Sequence, residues 1–89
     1  MAALDLLGRR WALRVIWELR SEAKRFRDLQ QSSGASPSVL NQRLGELKQA
    51  GLLANTAEGY ELTHAGRALI EAISPLHQWA EKWAKGLGS

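Results

Sequence analysis

The side chains best suited to recognition chemistry in this chain are Ser38, Asn41, Gln42 and Gln49, set among leucines between Ser36 and Gly51. Hydroxyl and carboxamide groups both donate and accept hydrogen bonds. Base edges in a DNA major groove present donors and acceptors side by side, so such groups on one helical face suit base reading. On a wheel of about 100° per residue, Ser38, Gln42, Gly45 and Gln49 lie opposite Leu40, with Asn41 and Lys48 flanking. Leu44 and Leu47 fall within roughly 40° of Leu40, and the three leucines form a seam to be buried. An ordinary exposed helix would carry Glu and Lys on its outer face. The alternative reading is a solvated polar surface.

Charge is the second signal. The formal net charge is +3, but its distribution is uneven. Arg9, Arg10, Arg14, Arg20, Lys24, Arg25 and Arg27 stand against only Glu18 and Glu22. A basic concentration beside a base-reading helix is the electrostatic footprint of a phosphate-binding surface; the alternative is a solvated helix exterior. Other chemistries find little support. There is no cysteine, which excludes disulfides, thiolate metal sites and thiol switches. His64 and His77 are well separated, so neither a metal nor another cofactor is expected. Neither histidine has a Ser or Asp partner at catalytic spacing, no glycine loop could cradle a phosphate, and no carboxylate pair stands on an apolar face. An enzyme is not expected.

A scaffold must position these side chains. At 89 residues, 45% hydrophobic and 24% charged, the chain reads as one globular domain over 1–89. It has no apolar run of about 18 residues, and its start lacks the basic and apolar regions of a signal peptide. A cytoplasmic protein with no membrane partner is expected. Phe26 and Leu29, three apart, predict a short helix over 26–31, stopped by Ser32-Ser33-Gly34. Ser36 and Pro37 are a preferred N-cap and first helical residue, and open a second helix to about Ala50. Together they make a helix-turn-helix over about 26–50. The alternation of Tyr60, Glu61 and Leu62 predicts a hairpin of strands 52–56 and 59–62, with Lys24-Arg25 extended beside it. The fold class is mainly α with a small β-hairpin wing (α+β), a winged helix-turn-helix with its wing at about 52–62.

The flanks are helical. A short helix over 4–7 is interrupted by Gly8. A stronger one runs from Trp11 to about Leu19, with Arg10, Arg14 and Glu18 sharing an exposed face at i, i+4 spacing. Thr63 caps a last helix over about 63–85. Ser74-Pro75 in its middle predicts either a bend or a second helix capped by Ser74, and the tail beyond Trp83 is expected to fray. Leu69, Ile73, Leu76, Ala80 and Trp83 form one stripe, widened by Ile70 and Trp79. So apolar a stripe predicts a subunit interface, completed by Leu4 and Leu7, and hence a homodimer. The alternative is that it folds back on 4–7 and completes the monomer core.

Several motifs occur in order along nearly the whole chain. They are Gly8-Arg9-Arg10-Trp11; Lys24-Arg25-Phe26 with Leu29; Ser36-Pro37-x-Val39-Leu40-x-Gln42-Arg43-Leu44-x-Glu46-Leu47; Tyr60-x-Leu62-Thr63-x-x-Gly66-Arg67; and Trp79-x-x-x-Trp83. This set resembles the HxlR-type winged helix-turn-helix transcriptional regulators, relatives of the MarR group. The resemblance implies a homodimer held by terminal helices, with recognition helices entering successive major grooves of a pseudo-palindromic operator in double-stranded DNA. It implies DNA-facing Ser36, Ser38, Asn41, Gln42 and Arg43, with Lys24 and Arg25 on phosphates. Arg27 and Lys48 join the phosphate contacts by their charge. The wheel sets Arg43 near the buried seam, where a phosphate contact or a structural hydrogen bond is open to it.

Three features depart from the family pattern. The wing is short, and its charges are Glu58 and Glu61; Gly45 stands at an outward position often basic in the family; and the cysteine through which many members sense oxidants is missing. A sequence-specific regulator, acting as a repressor, is the leading expectation. The alternative is a winged-helix dimer that senses a ligand or binds a protein, with weak or no specific DNA binding. In that case Trp11, Trp17, Trp79 and Trp83 could line a pocket for a small aromatic effector; otherwise they are core and interface packing.

Overall fold

The computed structural model describes the backbone of residues 2–88 and the side chains of 5–87. In order the elements are α1 (Ala2–Leu7), α2 (Ala12–Glu18), α3 (Phe26–Ser33), α4 (Pro37–Gln49), β1 (Leu53–Thr56), β2 (Gly59–Leu62) and α5 (His64–Gly88). The core is formed where α2, α3, α4 and the hairpin meet. Val15, Ile16 and Leu19 of α2 pack with Leu29 of α3, the Leu40–Leu44–Leu47 seam of α4, and Leu53 and Leu62 of the strands. Each such side chain contributes about 1.5–3 kcal/mol by leaving water, and the α4 seam is fully enclosed.

Local signals account for the element ends. Gly34 takes a left-handed φ of 83° and closes α3 by donating to Gln30 O. In the same turn the buried Ser33 hydroxyl donates to Gln30 O and accepts from the Ala35 amide, which leaves no orphaned polar atom there. Ser36 caps α4 by accepting from the Val39 amide at 3.4 Å, with Pro37 at the first helical position. The wing pairs Leu53 with Leu62 through Thr56 with Gly59. As expected for an extended 24–25, Lys24 joins it by a bridge to Tyr60, with N–O distances of 2.9 and 2.8 Å. Gly59 is required at this crossing: its φ is 117°, and a Cβ there would strike the Lys24 carbonyl. Thr63 then ties three elements together. Its hydroxyl donates to Gly51 O at 2.6 Å and accepts from the Gly66 amide, while its own amide donates to Leu52 O.

Several expectations need correction. Trp11 does not begin α2 but precedes it with a left-handed φ of 77°, so Arg10 lies outside the helix and only Arg14–Glu18 forms the i, i+4 pair, at 3.1 Å. The first strand starts at Leu53, since Leu52 is occupied in closing α4 and receiving Thr63. α5 is one continuous helix through Pro75, and Ser74 does not cap a second one. Its hydroxyl donates back to Ile70 O at 2.9 Å. The helix also persists past Trp83 to Gly88.

At 25 residues, α5 extends about 37 Å. It packs against β2 and α2, meeting α2 as far along as His77, whose ring lies 4.4 Å from that of Trp17. Leu69, like Leu7 of α1, packs against the core of its own chain, so these two expected interface residues serve the monomer first. Leu4 lies outside the residues whose side chains are described. Further along α5, Leu76, Trp79, Trp83 and Leu87 are each more than half exposed, and the Trp79 and Trp83 rings stack at 5.9 Å. Leu69, Leu76 and Trp83, with Ile73, Ala80 and Leu87, repeat every seven residues, the spacing of a helix-to-helix seam.

Candidate nucleic-acid interface

α4 is held by its leucines and displays its other side. Ser38, Asn41, Gln42, Gly45, Lys48 and Gln49 are all exposed. Nothing lies within 4 Å of a Cβ placed on Gly45, so this face is open along its length. The Ser36 hydroxyl is used as the cap but remains exposed, so its proton is available to a phosphate oxygen. The face can therefore offer amide and hydroxyl groups to a groove from a helix whose opposite side is anchored in the core.

The basic residues divide into groups that the linear sequence does not separate. Arg27, in the first turn of α3, and Lys48, in the last turn of α4, are exposed and enter no ion pair among the described residues. Arg25 is exposed and donates to Ala57 O at 3.2 Å, which places a cation against the tip of a wing whose own charges are Glu58 and Glu61. Lys24 is half-buried, with its backbone in the bridge to Tyr60. These four frame the helix-turn-helix and wing. Arg14 and Arg20 line a cleft between α2 and α5, which Lys24 borders as well. Arg14 is engaged with Glu18 and Ser32 O, and Arg20 lies 4.4 Å over the Trp17 ring.

Arg43 is not presented to solvent with the other expected DNA-facing residues. Its side chain is 13% exposed. Nε donates to Arg10 O at 2.8 Å and Nη1 to Glu46 Oε1 at 2.7 Å. Of the two roles the wheel left open, the structural hydrogen bond is the one formed. Sequence reading did not single out Glu46, which also lies 3.8 Å from Arg9. Its i, i+3 spacing from Arg43 was the available signal.

The four tryptophans do not gather into one pocket. Trp11 packs against the core with the Arg10 guanidinium 5.3 Å away, and Trp79 and Trp83 stack on the outer half of α5. Trp17 alone lines the α2–α5 cleft, of about 590 Å³, with its ring 4.4 Å from that of His77, which itself pairs with Glu81 at 3.1 Å. Among the described residues no group of acidic, histidine or cysteine side chains could hold a metal, and no helix is long and apolar enough to cross a membrane.

Known proteins share this fold. The quinone-bound YodB of Bacillus subtilis superposes with a TM-score of 0.83 at 32% identity, over 91% of this chain and 93% of that one. A MarR-family regulator from Enterococcus faecalis gives 0.80 at 30% identity, over 98% of this chain and 86% of its own. An uncharacterized HTH-type transcriptional regulator of Mycobacterium tuberculosis, Rv3095, is 34% identical over 91% of this chain; the chain spans 56% of the length of that protein. The defining pattern of HxlR-like helix-turn-helix proteins matches residues 6–87. With its open α4 face and hairpin wing, the chain belongs to that family of DNA-binding, winged-helix transcriptional regulators.

Proposed function

We propose that this regulator acts as a homodimer on a pseudo-palindromic operator in double-stranded cytoplasmic DNA and represses transcription by occluding a promoter. The observation that carries the reading is the open amide and hydroxyl face of α4, backed by a fully buried leucine seam. Asn41, Gln42 and Ser38 read bases, while Ser36, Lys24, Arg25, Arg27 and Lys48 hold phosphates. Dimerisation follows from the seven-residue apolar repeat on α5. Leu76, Trp79, Ala80 and Trp83 supply its contact surface, with Ile73 at the margin. A two-fold dimer sets its recognition helices about 34–36 Å apart, one turn of DNA. Selection from a random duplex pool, followed by sequencing, tests this. Inverted half-sites about 10 base pairs apart are the expected result; an unenriched pool would sink the proposal.

The α2–α5 cleft supports a second role, as the seat of a small aromatic effector. Trp17 and His77 floor it, and the related YodB is known with quinone bound. A planar ligand entering there would meet Trp17 beside or in place of its Arg20 or His77 neighbours and change its fluorescence. A panel of quinones and aromatic acids that leaves the emission unchanged at millimolar concentration would reject the cleft as a sensor.

A further inference from the structure

The least expected feature of the recognition helix is the Arg43–Glu46 pair. These residues lie on the flank of α4, between the buried seam and the open face, and turn toward the loop 8–11 that joins α1 to α2. Leu6 O and Arg9 O in that region are taken by backbone amides of Arg9 and Ala12. Arg10 O is taken by Arg43 Nε at 2.8 Å. Glu46 then grips the same guanidinium through Nη1 at 2.7 Å and reaches Arg9 with its other oxygen at 3.8 Å. The loop so held contains Trp11 at a φ of 77°, a conformation that large side chains rarely adopt.

We infer that Arg43 and Glu46 are positioning residues for base reading: a clasp that sets the rotation of α4 against the loop 8–11, and not a contact to DNA. The inference rests on the DNA-reading function proposed above. Its geometry is simple. Side-chain ends stand about 6 Å from a helix axis, so a roll of roughly 20° displaces them by about 2 Å. A hydrogen bond to a base edge does not survive that shift. The leucine seam resists rolling only through soft, non-directional packing, whereas the forked guanidinium has two acceptors in fixed directions. Asn41 and Gln42 are the two residues that precede Arg43 along the helix, so the clasp acts where the reading groups are. It also joins the recognition helix to the segment that follows α1. A displacement of α1, by a partner subunit or an effector, would thereby be passed to the reading face.

The experiment compares wild type, Glu46→Gln and Arg43→Lys by fluorescence anisotropy against two probes, a duplex selected from a random pool and an unselected random-sequence duplex, across a salt series. Melting curves accompany each titration. The clasp predicts that Glu46→Gln, which barely changes shape, weakens binding to the selected duplex about tenfold or more. Binding to the random duplex and the salt slope stay as in wild type. Arg43→Lys gives the same loss, because one ammonium cannot span both acceptors. A phosphate-binding Arg43 predicts the reverse. Lysine would then substitute well, and Glu46→Gln would bind both duplexes as tightly or more tightly, having freed a cation and removed an anion. Either of those results overturns the clasp, as does an equal loss on both duplexes, which would mark general destabilisation. A wild-type protein with no preference between the duplexes would instead refute the DNA-reading function beneath it.

Discussion

At the smallest scale, base recognition in the proposed function falls to Asn41 and Gln42, each of which can bond two groups of an adenine edge at once. Removing one such pair costs about 1–3 kcal/mol of discrimination. Gln42→Ala should therefore weaken binding to a selected duplex by roughly tenfold or more, with an unchanged melting temperature because the side chain is exposed. Wild-type affinity in this variant would remove Gln42 from the reading set. Gly45 makes an opposite prediction. A Cβ there meets nothing within 4 Å, and glycine inside a helix costs up to about 1 kcal/mol relative to alanine. Gly45→Ala should raise the unfolding free energy in urea by about that amount, and a loss of stability would mean that α4 is tighter against a neighbour than its geometry implies. Residue types were legible from the wheel because a period of 3.6 maps directly onto faces. The bonding of Arg43 was not, because its acceptor, Arg10 O, lies 33 residues away and only the fold brings it near.

At the scale of elements, the helix-turn-helix was legible because several independent local signals agree: the Gly34 stop, the Ser36-Pro37 start and the leucine seam. The bridge of Lys24 to the wing was also anticipated, from an extended dipeptide ahead of α3. The last helix was less so. Proline at 75 left open a bend or a second helix capped by Ser74; one helix continues, with the Ser74 hydroxyl bonded to Ile70 O beside it. Local propensity could not weigh the surrounding apolar turns that hold the helix against α2 and β2. Gly66 shows what the motif Tyr60-x-Leu62-Thr63-x-x-Gly66 is for. Where α5 crosses the chain leaving α4, a Cβ on Gly66 would collide with the backbone carbonyl of Leu52, and would press on the Leu62 side chain too. Backbone cannot yield as a flexible side chain can. Gly66→Ala should lower stability by about 1–3 kcal/mol, in the range of overpacked cores. Thermal unfolding at or above the wild-type temperature would show that the crossing can open at little cost.

The whole molecule is defined by what it leaves uncovered. Leu76, Trp79, Trp83 and Leu87 expose a long apolar edge on a domain of 89 residues, and it is this edge that the proposed dimer would cover. The sequence stripe anticipated this edge, but not that Leu7 and Leu69 would be drawn into the core of their own chain. That division depends on where α5 lands, which no local pattern encodes. Replacing Leu76 and Trp83 together by glutamate should convert a dimer of twice the 9.9 kDa chain mass to monomer in sedimentation. DNA affinity should fall with it, since one domain engages one half-site. Retention of the dimer would move the interface elsewhere.

The central claim is that this domain reads base sequence. It is tested most directly by the ratio of wild-type affinities for a pool-selected duplex and a random one, measured as salt is raised. Specific binding predicts a preference of about a thousandfold or more near physiological salt. Both affinities should fall along log–log slopes of about 0.9 per phosphate contacted. Equal affinities for the two duplexes at every salt concentration would mean that the α4 face holds DNA by charge alone, and the claim would fail.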